Sequence, residues 1–332
     1  MGLARRLAAG AAGVLVAVAL AAGAAGAAWA GTRAASGAPT ADAGSRVVSA
    51  APAAREAADD AASPAGQRRT VLIGTGGIGW DDVSETATPA LWRAAGQAST
   101  SLGAVITRSV RAGACPVDGW LAVSSGGRAA DAATKGAADL DVPTDCATLA
   151  APVDGTVPGW QAYRKLASAS GYDPPLGQLG DLIAAYDTAH AAGTGAPFAV
   201  GIGPGAAIAL ADSAGHVQGA WEAAASTAAG LAAQVTRALE GSAVIVVVDA
   251  GGLRGGAAGG ARLTALDQRL GAALAAAGKA AAAPRVTLAS LWDRSRPALG
   301  LALDADPATP STGLLGSTAT DRPAVTVTTD FH

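Results

Sequence analysis

Histidine is nearly missing from this chain: three occur in 332 residues, His190, His216 and His332. A binuclear phosphoester centre holds its ions about 3.5 to 4 Å apart with carboxylates and imidazoles, so the shortage argues against one before any fold is considered. His190 ends a helical stretch and His216 follows Gly215 in turn-like sequence; both read as solvent-facing rather than as ligands. Basic residues are also few, 23 Lys and Arg against 26 Asp and Glu for a formal charge of -3, which leaves no electrostatic footprint for nucleic acid. Phe, Tyr and Met are scarce, so helices must pack largely through alanine, whereas seven tryptophans stand out. No Gly-x-Ser-x-Gly elbow occurs, and Gly278-Lys279 lacks the earlier glycine and the Ser or Thr of a P-loop.

The long apolar run sits at the N-terminus. Arg5 and Arg6 precede Leu7 to about Ala28, and Ala28-Trp29-Ala30 offers a small-x-small cleavage site, the pattern of an export signal. The run approaches the roughly 20 residues of a spanning helix, so residues 1–30 are a signal peptide or a membrane anchor, and both outcomes stay open. If uncleaved, this segment makes the membrane a partner. Residues 31–67 are Ala, Pro, Gly, Ser and scattered charges without apolar periodicity, the composition of a flexible tether. The folded domain is expected over 68–332.

Cysteine is limited to Cys115 and Cys146. In an exported chain an even pair is most simply a disulfide, and closing a loop of roughly 30 residues contributes about 3 to 4 kcal/mol in the chain-entropy account. A catalytic thiol at Cys115 would need a basic partner, and none stands nearby in sequence.

From Arg69 onward, β-rich runs alternate with helical patterns. Strands are expected at Thr70 to Gly74, Ala104 to Val110, Phe198 to Gly203, Ala243 to Asp249, Arg285 to Ser290 and Ala324 to Thr329, mostly uninterrupted apolar runs suited to strands covered on both faces. Thr88-Pro89 reads as an N-cap with proline at the first helical position, opening Ala90 to Gln97. Leu176 to Ala192 carries a helical stripe. Leu263, Leu266, Leu270 and Leu274 form another, with Asp267, Gln268 and Arg269 on other faces. The alternation predicts an α/β fold, a doubly wound and mostly parallel sheet with helices on both faces. Lys135 to Asp173, rich in loops and prolines, is expected to be an insertion pinned by the disulfide.

Gly74-x-Gly76-x-x-Gly79 after the first strand matches the letter of a dinucleotide fingerprint. That loop should run straight into a helix with a ribose-binding acid about 20 residues on. Here Gly79 leads to Trp80-Asp81-Asp82, the next helix opens at Thr88, and no acid lies between Glu85 and Asp118. A nicotinamide cofactor is therefore not expected.

Ligands of such sheets bind outside the carboxyl ends of strands. Asp118, Asp249, Asp293 and Asp330 all follow strands or turns there. They suit an all-oxygen Mg²⁺ or Ca²⁺ site, or else cap nearby backbone amides.

Several stretches, in order, resemble a known family. Val71-Leu72-Ile73-Gly74 with Gly77, Trp80, Asp82 and Thr88-Pro89-Ala90-Leu91-Trp92 is similar to the opening of the alkaline phosphatase-like superfamily, which includes sulfatases, nucleotide pyrophosphatases and cofactor-independent phosphoglycerate mutases. Cys115-Pro116-Val117-Asp118-Gly119-Trp120-Leu121 through Gly126 resembles its nucleophile turn and following helix. Val247-Val248-Asp249 with Leu266-Asp267 and Leu270-Gly271 resembles its metal-aspartate strand and the helix behind it, and Val286 to Ser290 and Val325 to Asp330 its late strands. The resemblance spans Arg69 to His332 and is nearest to an exported actinobacterial branch carrying Cys-Pro-Val-Asp-Gly-Trp.

Matched residue by residue, the resemblance implies a degenerate site. The aspartate after the first strand falls on Gly76 and the nucleophile on Ala114, one position before Cys115. The Asp-x-x-x-His pattern keeps Asp249 but meets Leu253, and Ser-Asp-His-Gly becomes Ser290-Leu291-Trp292-Asp293. The implied protein binds or scaffolds at the cell envelope without catalysis and needs no cofactor; a third reading has the pocket bind an envelope phospholipid or glycan without chemistry, and no residue selects between these ligands. The alternative is a divergent metal-dependent phosphoester or sulfate-ester hydrolase with a divalent ion on Asp118, Asp249 and Asp293. Thr75, Trp80, Trp120 and Trp292, with Trp160, are expected near the strand ends, where the indoles line a groove or seal a vacated metal pocket. The family continues past the equivalent of Thr329-Asp330-Phe331-His332, which implies a C-terminal truncation.

Overall fold

The computed structural model describes residues 69–97, 100–105, 114–131, 146–170, 173–190, 197–253, 260–280, 284–292 and 298–303. The leader, the tether, the expected strand Ala324 to Thr329, Asp293, Asp330 and His332 lie outside these residues.

The elements follow in chain order: β1 (Thr70–Gly76), a 3-10 turn (Trp80–Asp82), α1 (Pro89–Ala95), β2 (Thr100–Val105), α2 (Pro116–Ser125), α3 (Trp160–Ala169), α4 (Gln178–His190), β3 (Ala199–Ile202), α5 (Pro204–Leu210), β4 (Ala220–Glu222), α6 (Ala228–Glu240), β5 (Ile245–Asp249), α7 (Ala261–Gly278), β6 (Arg285–Trp292) and β7 (Ala298–Leu303). They build one seven-stranded sheet in the order β2-β7-β6-β1-β5-β3-β4. β1, β3, β4, β5 and β6 pair in parallel, and β7 runs antiparallel to both β6 and β2. This is the doubly wound α/β sheet that the alternating pattern predicts, with a reversed strand near one edge.

β1, β5 and β6 are central strands, and their near-continuous apolar runs are what burial on both faces requires. Val71 and Ile73 of β1 face a core shared with Leu91 of α1, Leu231 and Val235 of α6, and Leu263, Leu266 and Leu270 of α7. Alternation along the strand turns Gly74 and Gly76 to the opposite face, where α2 and α5 pack. Burying a leucine-sized side chain is worth about 1.5 to 3 kcal/mol, so this two-sided core holds the carboxyl ends of β1, β5 and β6 in fixed register.

Several expectations are corrected. β2 begins at Thr100, earlier than the expected Ala104. β4 and β7 were not anticipated: β4 has three residues, too short for a period-2 pattern, and β7 reads Ala-Leu-Gly-Leu-Ala-Leu, weak in β-branched residues. Part of the Lys135 to Asp173 segment is helical rather than loop, because Trp160, Tyr163 and Ala167 recur at the spacing of one helix face and α3 seats its buried Trp160 against Gly215. The expected disulfide between Cys115 and Cys146 is formed, with Cα atoms 5.4 Å apart.

Thr88 does occupy the N-cap position of α1, but its side chain does not cap the helix. Its hydroxyl donates to the Asp82 carbonyl (2.9 Å) and accepts from the Ser84 amide (2.8 Å). The helix amides are satisfied from α7 instead: Asp267 accepts from Ala90 (3.0 Å) and Leu91 (2.9 Å). Asp267 therefore belongs to the buried side of α7, not to another face, and a carboxylate is tolerated there because both oxygens are hydrogen-bonded.

Candidate functional site

Three glycines, Gly74 and Gly76 at the end of β1 and Gly252 after β5, set the geometry of the sheet's carboxyl end. A Cβ on Gly74 would overlap the Trp120 ring, one on Gly76 would overlap the Trp292 ring, and one on Gly252 would also strike Trp292. The pairing of β1 with β6 shifts register between Thr75 and Gly76, so that Trp292 stands opposite Gly76. Gly77 adopts φ +68 and donates its amide to the Trp292 carbonyl at 2.8 Å. The Leu253 amide closes onto the Gly76 carbonyl at 2.9 Å, and Thr75 Oγ1 donates to the Gly251 carbonyl at 2.8 Å. These glycines let indoles lie directly on the backbone of β1. Gly79 leads into a 3-10 turn, its amide bonded to Asp82 Oδ2 at 2.9 Å.

Both rings are deeply placed, Trp120 at 0% and Trp292 at 6% exposure. Trp120 comes from the second turn of α2, whose first turn is fixed by the disulfide, and its ring also lies against Gly205 at the start of α5. Two expected pocket residues are thus brought together on one face of β1. Thr75 points to the other face. Trp80 packs against the core on that other face as well, and Trp160 is held elsewhere, its Nε1 bonded to the Ser213 carbonyl at 3.2 Å. Trp120 Nε1, Trp292 Nε1 and Ser290 Oγ are buried without a hydrogen-bond partner among the described residues, an arrangement that costs about 1 to 3 kcal/mol per group.

Asp249 ends β5 at 4% exposure. Its Oδ2 accepts from the Gly205 amide and its Oδ1 from the Gly251 amide, both at 2.9 Å. Burial pushes its carboxyl above the ordinary carboxylate range, against the pull of those two amides and of Arg269. Arg269 of α7 lies at the same end, donating to the carbonyls of Ala250, Ala225 and Ser226 at 3.1, 2.7 and 2.6 Å. It ties the loops after β4 and β5 together. Desolvation lowers its own proton affinity, opposed by Asp249.

Asp118 stands in the first turn of α2. Its Oδ2 accepts from the Cys115 amide (2.9 Å) and its Oδ1 from the Asp131 amide (2.7 Å). Among the described residues, the group with metal-ligand spacing is Cys115, Asp118 and Asp131, their ligand atoms within 4.8 Å of one another. Its sulfur is bonded to Cys146, so no thiolate is available to a metal. Asp249 is not in that group, and Asp293 lies outside the described residues. His216 is exposed, 3.7 Å from the Asp212 carboxylate.

Sequence reading missed Arg269, Asp131 and Tyr163. Arg269 carried a faint signal, an arginine one position off the leucine stripe of α7. Asp131 and Tyr163 carried none, because tertiary contacts alone bring them to Asp118: Asp131 donates its amide to the Asp118 carboxylate, and Tyr163 faces both acids from α3.

No family model matches the chain, and no curated protein matches it. Among solved structures, the chain is similar to a protein of the alkaline phosphatase superfamily from Vibrio parahaemolyticus. The identity is 11% and the TM-score 0.40, over 71% of this chain and 60% of that one. The chain thus spans less than two thirds of that protein's length.

Proposed function

We propose that the chain is an exported cell-envelope protein whose alkaline phosphatase-like domain has lost hydrolysis and serves as a binding or scaffolding module. The observation that carries this reading is the packing of Trp292 on Gly76: the ring fills the side-chain position where the sequence resemblance expects a metal-binding aspartate. Trp120 occupies the side-chain space at Gly74 beside it. Ala114 at the nucleophile position has no group able to attack an ester. The arrangement favours closure over chemistry, since a hydrolytic site needs an open cleft for substrate and water. The disulfide supports export, because such bonds persist in oxidising compartments. No described helix is long and apolar enough to cross a membrane.

The test is turnover. The purified chain is screened against phosphomonoesters, phosphodiesters and sulfate esters with Mg²⁺, Mn²⁺ or Zn²⁺, beside Asp249→Ala. Identical background rates for both proteins are expected. Turnover lost on Asp249→Ala would instead establish the divergent metal-dependent hydrolase.

A further inference from the structure

We propose that Asp118 and Asp131 guard the Cys115–Cys146 disulfide against reduction. Cys115 is the N-cap residue of α2, and its sulfur lies within 4.8 Å of a carboxylate oxygen of each aspartate. Reduction by a thiol is a substitution. An incoming thiolate bonds to one sulfur, the S–S bond breaks, and its electron pair leaves on the other sulfur as a thiolate. Two routes exist, and the fold obstructs each differently.

Attack at the Cys115 sulfur requires access, and Cys115 is fully buried. Attack at Cys146, which is partly exposed, sends the electron pair onto Cys115, into a buried site facing two carboxylates. The backbone N–H of Asp118 directed at that sulfur favours a thiolate, and so does the N-terminus of α2, which amounts to about half a positive charge. The two carboxylates oppose it, because each lies within 4.8 Å of the sulfur and negative charge at that range raises the energy of a thiolate.

The carboxylates are held in this position. Asp118 is anchored by the amides of Cys115 and Asp131, and Asp131 Oδ2 accepts from the Ala147 amide at 3.3 Å. That last bond ties the residue after Cys146 to one guarding carboxylate, so bridge and guard stay together. The half-buried Tyr163 phenol faces the same pair: its proton is held above the ordinary range by burial first, then by Asp131 and Asp118.

The experiment uses the oxidised full-length chain under native conditions, treated with dithiothreitol and quenched with an alkylating agent. Mass spectrometry follows modified Cys115 and Cys146 over time. Asp131→Asn keeps an oxygen for the Ala147 amide and removes a charge, and it is expected to be reduced about ten times faster than wild type, with an unchanged melting temperature of the oxidised form. Asp131→Glu is expected to retain the slow rate, and Asp118→Asn, where it folds, to accelerate reduction as well. Equal rates for Asp131→Asn and wild type overturn the proposal. So does an acceleration matched by faster amide exchange across the whole domain, which would mark general loosening.

Discussion

Trp292 rests its indole on the backbone of Gly76, in space that any side chain at position 76 would occupy. The two positions are therefore coupled. Gly76→Ala is expected to destabilise the fold by about 1 to 3 kcal/mol through overpacking. In a Trp292→Ala background the added methyl has room, and the cost should fall below about 0.5 kcal/mol. Urea unfolding of the two single variants and the double variant measures the coupling.

The helix cap across the core gives a second expectation. Asp267 accepts the Ala90 and Leu91 amides of α1 from α7, so Asp267→Ala leaves one buried and one partly buried donor unsatisfied, at about 1 to 3 kcal/mol. Thr88→Ala, which removes no bond to the α1 amides, should cost less. Chemical denaturation and amide exchange of α1 in both variants check the order.

Much of the fold was legible in sequence. The apolar runs of β1, β3, β5 and β6, and the leucine stripe of α7, are periodic signals set by burial. β4 and β7 were not legible, since a three-residue strand and an Ala/Leu/Gly strand carry no pattern until neighbours pair with them. At the site, Asp249 and the tryptophans were visible as residues after strands. Their arrangement was not: a register shift at Gly76 places Trp292, and a contact 177 residues away in sequence makes Asp267 a cap. Such relations depend on tertiary geometry, which no local window contains.

Asp249 ties stability to pH. Its folded carboxyl binds a proton more readily than the unfolded one, chiefly because of burial. The native state thus holds more protons above the ordinary value of 3.8, and the contribution is full below that value and lost as pH rises towards the raised folded value. The stability of wild type relative to Asp249→Asn should decline as pH rises above 3.8. Unfolding free energies of both proteins across mildly acidic pH test the sign.

Removing the bridge should be felt globally. Cys115→Ser with Cys146→Ser opens a loop of 31 residues and is expected to lower stability by about 3 to 4 kcal/mol. A melting-temperature comparison with the oxidised wild type reads it.

The most direct measurement of the central claim, that indoles have replaced a cation site at the carboxyl end of the sheet, is the metal content of the purified, never-chelated chain by plasma mass spectrometry. Zinc, manganese and magnesium are each predicted well below stoichiometric. About two tightly held divalent ions per chain, as in a two-metal hydrolytic centre, would contradict the account.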